Sequence, residues 1–386
     1  MIPYGRQDIS QADIDAVVNV LRSPWLTQGP IVPRFEEGVA TYCGAKYGVA
    51  VNSATSALHI ACVALGLKPN DWVWTSPNTF VASANSALYC GANVDFVDID
   101  PYTYNIDVLR LEEKLERAAR ENRLPKIVMP VHFAGQPCNM PAIHELSSRF
   151  DFKIVEDASH AIGASYQNVK VGSCTHSDMV VFSFHPVKII TSAEGGMVMT
   201  NDAELANRLR RLRSHGITND ENLMLPRPAN EIWNYQQIEL GFNYRMTDIH
   251  AALGLSQLSR LDEFVRRRHE IARRYDAAFQ TLPIATPRQG VSTYSSYHLY
   301  PIRIVQSQCG KSQRELFDVL LRNGVAANLH YIPVHRQPYY EKLGFKNGDF
   351  PEAERFHREV ISLPIFPTLS DADHCTVVEA IRLGLS

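Results

Sequence analysis

The stretch Phe182-Ser-Phe-His-Pro-Val-Lys188-Ile-Ile-Thr-Ser-Ala-Glu-Gly195-Gly196 sets one lysine among apolar and small residues. A strand-like run, Met179 to Phe184, stops at a turn marked by Pro186, and a second apolar run, Met197-Val-Met-Thr200, follows the paired glycines. Partial desolvation in such a setting lowers a lysine's pKa and makes the neutral, nucleophilic amine available. An isolated lysine more often just snorkels from a hairpin. Here the neighbours shift the balance. Asp157-Ala-Ser-His160 closes an upstream apolar run, and Ser183 stands before the lysine in a Ser-x-x-x-x-Lys spacing.

An amine for an imine, an anion beside a pyridinium nitrogen, donors for a phosphate and a wall against a ring are what pyridoxal phosphate asks of a protein. Lys188 supplies the amine. Asp157, at the end of Lys153-Ile-Val-Glu156, can hold the ring nitrogen protonated, and His160 can bond the phenolic oxygen. Thr55 and Ser56 lie where a strand passes into a helix, a junction whose free N–H groups and dipole attract anions. Ser183 adds a further phosphate hydroxyl, and Phe80 can stack on the ring. Each has a plainer explanation alone: helix capping for Asp157, Thr55 and Ser56, core packing for Phe80. Their joint order makes Lys188 a Schiff-base lysine.

The elements that must position these residues alternate. Ser10 caps a helix from about Gln11 to Leu21, and Pro24 to Pro30 reads as a loop. Strands are expected at Gly48–Asn52, Trp72–Thr75, Asn93–Val97, Lys126–Val131 and Lys153–Glu156. Helices are expected at Arg34–Tyr42, after Ser56, and at Val81–Tyr89, Val108–Glu121 and Pro141–Phe150. Short apolar strands separated by helices predict an α/β fold with a mainly parallel sheet, whose strand carboxyl ends bind ligands. Ala203–Ser214 reads as a helix with a solvated arginine face (Arg208, Arg210, Arg211, Arg213), and Asn219 to Asn230 as a loop. A helical region from Thr247 to about Leu282, with Arg266, Arg267 and Arg268 exposed, leads into strand, helix (Ser312–Arg322), strand (Val325–His330) and helix (Glu352–Val360). The expected division is a large domain, 1–250, and a small α+β domain, 251–386, completing the substrate cleft.

Composition narrows the class. A chain of 386 residues, 45% apolar, builds a large core, and a formal charge of −3 gives no bulk attraction to nucleic acid or anionic membrane. Seven cysteines without a Cys-x-x-Cys pair suit a reducing cytoplasm rather than disulfides or zinc. No leader, membrane-length apolar run, Walker loop, Gly-x-Ser-x-Gly or His-Glu-x-x-His is present. His330 and His335 flank Pro333 at a spacing poor for a metal. The expectation is a cytoplasmic protein without metal.

Beyond these residues, the chain resembles the DegT/DnrJ/StrS group of sugar-nucleotide aminotransferases, within the aspartate-aminotransferase fold type. The resemblance runs through Leu26-Thr-Gln-Gly29, Asn52-Ser-Ala-Thr-Ser-Ala57, Glu156-Asp-Ala-Ser-His160, Phe182 to Lys188, Ala193-Glu-Gly-Gly196, Gly241-Phe-Asn-Tyr-Arg-Met246 and His330-Tyr-Ile-Pro-Val-His335. It implies the pyridoxal-phosphate roles given above for Lys188, Asp157, His160, Thr55, Ser56, Ser183 and Phe80. It further implies that Asn243 reaches the phosphate of a neighbouring subunit, so that the working unit is a homodimer with shared sites. Tyr4, Trp25, Leu26, Thr27, His330, Tyr331 and Tyr340 would line the sugar-nucleotide cleft. Many members carry glutamine where His160 stands; a histidine makes the same bond but can titrate. The Phe-Ser-Phe-His and His-Tyr-x-Pro pieces are nearest to members that aminate a UDP-linked 4-keto-6-deoxy-N-acetylhexosamine with glutamate, as in pseudaminic acid biosynthesis, releasing 2-oxoglutarate. Other specificities (GDP-perosamine type, or a 3-keto sugar) are the alternatives. So is a non-enzymatic regulator on the same scaffold, although no helix-turn-helix segment supports it.

Overall fold

The computed structural model describes residues 1–226, 231 and 233–386. Seven strands form the central sheet: β1 (Tyr47–Val51), β2 (Trp72–Thr75), β3 (Asn93–Phe96), β4 (Ile127–Met129), β5 (Lys153–Asp157), β6 (Met179–Ser183) and β7 (Gly196–Thr200). Their order is β1-β7-β6-β5-β4-β2-β3. Only β7 runs against its neighbours, and every other adjacent pair is parallel.

Helices cover both faces: α1 (Gln11–Leu21), α2 (Ile31–Cys43), α3 (Ala54–Ala64), α4 (Val81–Tyr89), α5 (Val108–Arg120), α6 (Met140–Phe150), α7 (Ala203–Leu212), α8 (Asp248–Leu258) and α9 (Leu261–Phe279). The period of two along the strands divides the core. Val49, Val51, Val181 and Val198 face α3, α4 and α7, whereas Ala50, Val180, Phe182 and Met197 face α2, α8 and the start of α9. Because both faces are apolar, the strands read as continuous hydrophobic runs, and the sequence located them well.

The second unit pairs β8 (Tyr300–Ile304) with β9 (Val360–Leu363) and packs α10 (Gln313–Arg322), α11 (Pro351–Glu359) and α12 (Asp371–Leu385) around them. Ile2–Pro3 pairs with Val325–Ala326, so the first residues belong to this unit too. The boundary expected near 250 falls within α8, which packs on α1 and α2. Along α9, Leu261, Phe264 and Val265 join the large core while Ile271, Tyr275 and Phe279 join the small one. The passage between units therefore lies inside α9. The expected Thr247–Leu282 helix is two helices broken at Ser259–Arg260.

Three basic-residue readings change. Arg208 and Arg211 pair with Glu239 at 3.2 and 3.1 Å, and Arg213 pairs with Glu36, so that helix face is not simply solvated. Arg268, expected at the surface, is buried, donating to the carbonyls of Tyr297, His298 and Ile365 at 3.1, 3.2 and 2.8 Å. Burial without a carboxylate partner pushes its guanidinium down to about 9. Of the loop expected over Asn219 to Asn230, positions 227–230 lie outside the described residues.

One buried carboxylate fixes the loop before α2. Pro30 offers α2 no side-chain cap; instead Asp248, from α8, accepts from the N–H groups of Gly29 (2.7 Å), Ile31 (2.8 Å) and Val32 (3.2 Å). Asp248→Ala would leave three donors without a partner, and its expected cost is about 2–4 kcal/mol. Asp248→Asn, keeping one acceptor oxygen, should lose less. Urea unfolding checks this: an unshifted midpoint for the alanine variant contradicts the capping role.

Candidate active site

Strands β1, β2, β5 and β6 leave the sheet at one edge, and β7, running the other way, begins there. In register, Gly196 stands between Val51 and Ser183. A Cβ at Gly196 would come within 2.6 Å of the Ala54 nitrogen and the Ser53 carbonyl. Glycine is required there, and its absence of a side chain lets the start of α3 press against the lysine segment. Ser53 is the residue that caps α3, accepting from the Ser56 N–H at 3.1 Å. The Ser56 hydroxyl donates to Asn52 at 2.7 Å. Ser56 is thus committed within the cap, while Thr55 stands at the helix start with the leading N–H groups. The sequence reading passed over Ser53, although its Ser-x-x-Ser spacing is a cap signal.

Lys188 hangs in a tight loop. Phe184 and Gly195 pair at 2.9 Å, the Ser192 N–H reaches the Phe184 carbonyl at 2.9 Å, and the Lys188 N–H reaches the His185 carbonyl at 2.9 Å. Burial pushes the lysine ammonium down to about 8, and the charge of Asp157 opposes that shift. At pH 7 roughly one amine in ten is then neutral, against roughly one in three thousand for an ordinary lysine. Asp157 is buried at the end of β5, and two donors orient it: the Ser83 hydroxyl at 2.6 Å and the Ser159 N–H at 3.1 Å. Ser83 comes from α4, and no motif in the sequence flagged it.

His160 is buried between two partners. Its Nδ1 accepts the Ala134 N–H at 3.2 Å, and its Nε2 lies 3.1 Å from the Tyr331 hydroxyl. Burial, then the charges of Lys188 and His330, hold its pKa well below the usual histidine range. The imidazole is neutral, which answers the titration the sequence left open. The His298 ring lies against it at 4.4 Å, and the Ser296 hydroxyl donates to the His160 carbonyl at 2.7 Å. Neither residue was expected from the sequence; both reach the site only through the fold.

Of the expected cleft residues, Tyr4 and His330 meet at 5.1 Å, and Tyr331 lies between Phe80 (6.3 Å) and Phe133 (6.4 Å). His330 is buried on Ser362 at 2.9 Å, and burial with the Lys188 charge pushes it down to about 3. Phe80 is exposed at the start of α4. Tyr340 is a correction: it is buried against Phe96, with its hydroxyl on Asn85 at 2.6 Å, and lies in the core rather than the cleft. Trp25, Leu26, Thr27 and Asn243 sit on an exposed rim. Thr27 bridges to Thr247, and the neighbouring Tyr244 carbonyl accepts from the Asn52 N–H at 2.8 Å, so this rim adjoins the start of α3. Among the described residues, no group of three or more His, Cys, Asp or Glu could hold a metal ion.

Comparison with known proteins agrees with this geometry. The family model described as the DegT/DnrJ/EryC1/StrS aminotransferase family matches residues 7–382. The spore coat polysaccharide biosynthesis protein SpsC of Bacillus subtilis is 39% identical over 384 residues, covering 99% of this chain and 96% of SpsC. The UDP-4-amino-4,6-dideoxy-N-acetyl-beta-L-altrosamine transaminase of Campylobacter jejuni is 39% identical over 366 residues, covering 94% of this chain and 92% of that protein. Among solved structures, Helicobacter pylori PseC, an aminotransferase of pseudoaminic acid biosynthesis, superposes with a TM-score of 0.89 at 32% identity, covering 100% of this chain and 99% of PseC. The PLP-form of the sugar aminotransferase Spr1654 of Streptococcus pneumoniae gives a TM-score of 0.88 at 30% identity, covering 100% and 98%.

The depressed lysine has a direct consequence. In the cofactor-free protein, modification of Lys188 by an amine reagent should follow a midpoint near pH 8, whereas other lysines follow one above pH 10. Asp157→Asn removes the opposing charge and should lower that midpoint further. Peptide-resolved labelling against pH is the measurement, and a Lys188 profile matching the other lysines contradicts the assignment.

Proposed function

The chain belongs to the DegT/DnrJ/EryC1/StrS aminotransferase family, and we propose that it moves the amino group of L-glutamate to a UDP-linked 4-keto-6-deoxy-N-acetylhexosamine, with pyridoxal 5'-phosphate as cofactor. The observation that carries the chemistry is the Lys188 ammonium, lowered to about 8 beside Asp157. The cradle at Gly196, the hydroxyls of Thr55 and Ser183 and the start of α3 fit a phosphate, and Phe80 offers a ring face.

Bound pyridoxal phosphate supplies an electron sink for the pair left when a proton leaves the carbon that bears the amino group. Lys188, freed as a neutral amine, takes that proton from the α-carbon of glutamate and delivers it on the cofactor side. In the second half it works in reverse on the sugar carbon. General acid–base positioning of this kind is worth roughly a hundred- to ten-thousandfold in rate. Asp157, held by Ser83 and Ser159, keeps an anion opposite the ring nitrogen. His160, neutral, offers an N–H rather than a charge. Tyr4, His330 and Tyr331 bound the side from which the sugar enters.

The UDP-sugar assignment rests on the 39% identity to the Campylobacter transaminase. The equal identity to SpsC favours a second reading, another nucleotide keto sugar such as a GDP-linked or 3-keto one. We further infer a cytoplasmic homodimer. Trp25 (55% exposed), Leu26 (47%), Tyr235 (64%) and Leu240 (78%) are exposed apolar residues, as are those that a second copy covers. Asn243, exposed on the rim, would then serve the partner's phosphate. All seven cysteines are free, as in a reducing compartment.

Borohydride reduction of the loaded enzyme followed by peptide mapping should label Lys188, and Lys188→Ala should abolish turnover while the protein stays folded. Label on another lysine removes the reaction assignment. With glutamate as donor, UDP-linked N-acetyl 4-keto sugars should exceed dTDP- and GDP-linked ones by about tenfold or more in kcat/KM. Turnover of only the latter overturns the substrate, and sedimentation as a monomer overturns the shared site.

A further inference from the structure

We propose that Tyr331 is a hydrogen-bond donor to the bound substrate, its direction set by His160 and Ala134. The polar chain runs one way. Ala134, in the left-handed region at φ 58°, gives its N–H to His160 Nδ1 at 3.2 Å. A nitrogen that accepts carries no proton, so the single proton of the neutral ring is on Nε2. Nε2 lies 3.1 Å from the Tyr331 oxygen and donates to it. A phenol that accepts at its oxygen keeps its own proton for another acceptor.

The surroundings hold this order in place. A second proton on His160 would set an N–H against the Ala134 N–H. The groups facing the imidazole are Lys188, His298, His330 and Tyr331, and the first and third raise the cost of a positive charge there. Nor can the partners turn away. Ser296 holds the His160 carbonyl at 2.7 Å, the Leu299 N–H holds the Ala134 carbonyl at 3.3 Å, and His298 backs the ring while its own carbonyl accepts from buried Arg268 at 3.2 Å. Tyr331 feels the charge of Asp157, but that carboxylate is turned to Ser83 and Ser159. The acceptor left for the phenol proton is a carboxylate or carbonyl oxygen of the substrate.

Side-chain chemistry at position 160 separates this from mere packing. Glutamine there can accept from Ala134 through its carbonyl and donate to Tyr331 through its amide nitrogen, which preserves the order. Glutamate is acceptor-only when ionised and would draw the phenol proton inward. Tyr331→Phe should therefore cost about ten- to hundredfold in kcat/KM in the wild-type and His160→Gln backgrounds. In the His160→Glu background the same change should cost less than about twofold, since the proton is already diverted. Single-turnover half-reactions locate the acceptor. A loss confined to the glutamate half assigns the carboxylate, one confined to the sugar half assigns the sugar, and losses in neither overturn the proposal.

A second measurement needs no turnover and no cofactor. In ¹⁵N-histidine-labelled protein, His160 should show a protonated Nε2 and an unprotonated Nδ1, unchanged from about pH 5.5 to 8.5 because its pKa lies well below the ordinary value. Tyr331→Phe should expose that Nε2–H to faster solvent exchange. A proton on Nδ1, a cationic ring at pH 7, or an equal cost of Tyr331→Phe in all three backgrounds overturns the inference. The activity arm rests on the aminotransferase reading above. Should no nucleotide keto sugar turn over, the substrate assignment fails while the tautomer measurement still decides this one.

Discussion

At Gly196 the one reversed strand of the sheet starts between Val51 and Ser183, so near Ser53 and Ala54 that a methyl group has no room. That backbone contact brings the open N–H groups of α3 into the same place as the lysine loop. A phosphate can be held there by backbone dipoles and hydroxyls, without a bound cation or an arginine cluster. Because the antiparallel strand carries the glycine back to the edge where the parallel strands end, one hydrogen-bonded row supplies both the anion seat and the amine.

The electrostatics around that row are sparing. Lys188, His160, His298 and His330 crowd one another, and burial together with mutual repulsion keeps the three imidazoles neutral and the amine nearly so. Asp157 is the carboxylate among them, and it is held by a serine from α4 rather than by a base. The neutral rings act through the direction of their hydrogen bonds, which is why the backbone amide of Ala134 matters as much as any side chain.

What could be read in advance followed a simple division. The strands were legible because both their faces are apolar, and Lys188, Asp157, His160 and Ser183 because they sit at strand ends in local spacings. Ser83, Ser296 and His298 were not legible, since each meets the site only where separate elements cross. Arg268 was misread because its neighbours Arg266 and Arg267 suggested a charged surface, whereas the turn of α9 points it inward onto three carbonyls. Tyr340 was misread for the opposite reason. The resemblance placed it in the cleft, but Asn85 and Phe96 claim both ends of the ring. The domain boundary escaped because a single amphipathic helix serves two cores, and no break in composition marks the passage.

The pairing of Ile2–Pro3 with Val325–Ala326 has a further consequence for how the chain is made. A polypeptide emerging from the ribosome amino end first must leave that short strand unsatisfied until nearly all of the molecule has been synthesised. Closing so long a loop is entropically slow, though the added cost grows only with the logarithm of its length. Tyr4 reaches His330 only after that closure. The catalytic pocket is therefore among the last features to mature, and a nascent chain that can already build its sheet still lacks one wall of it.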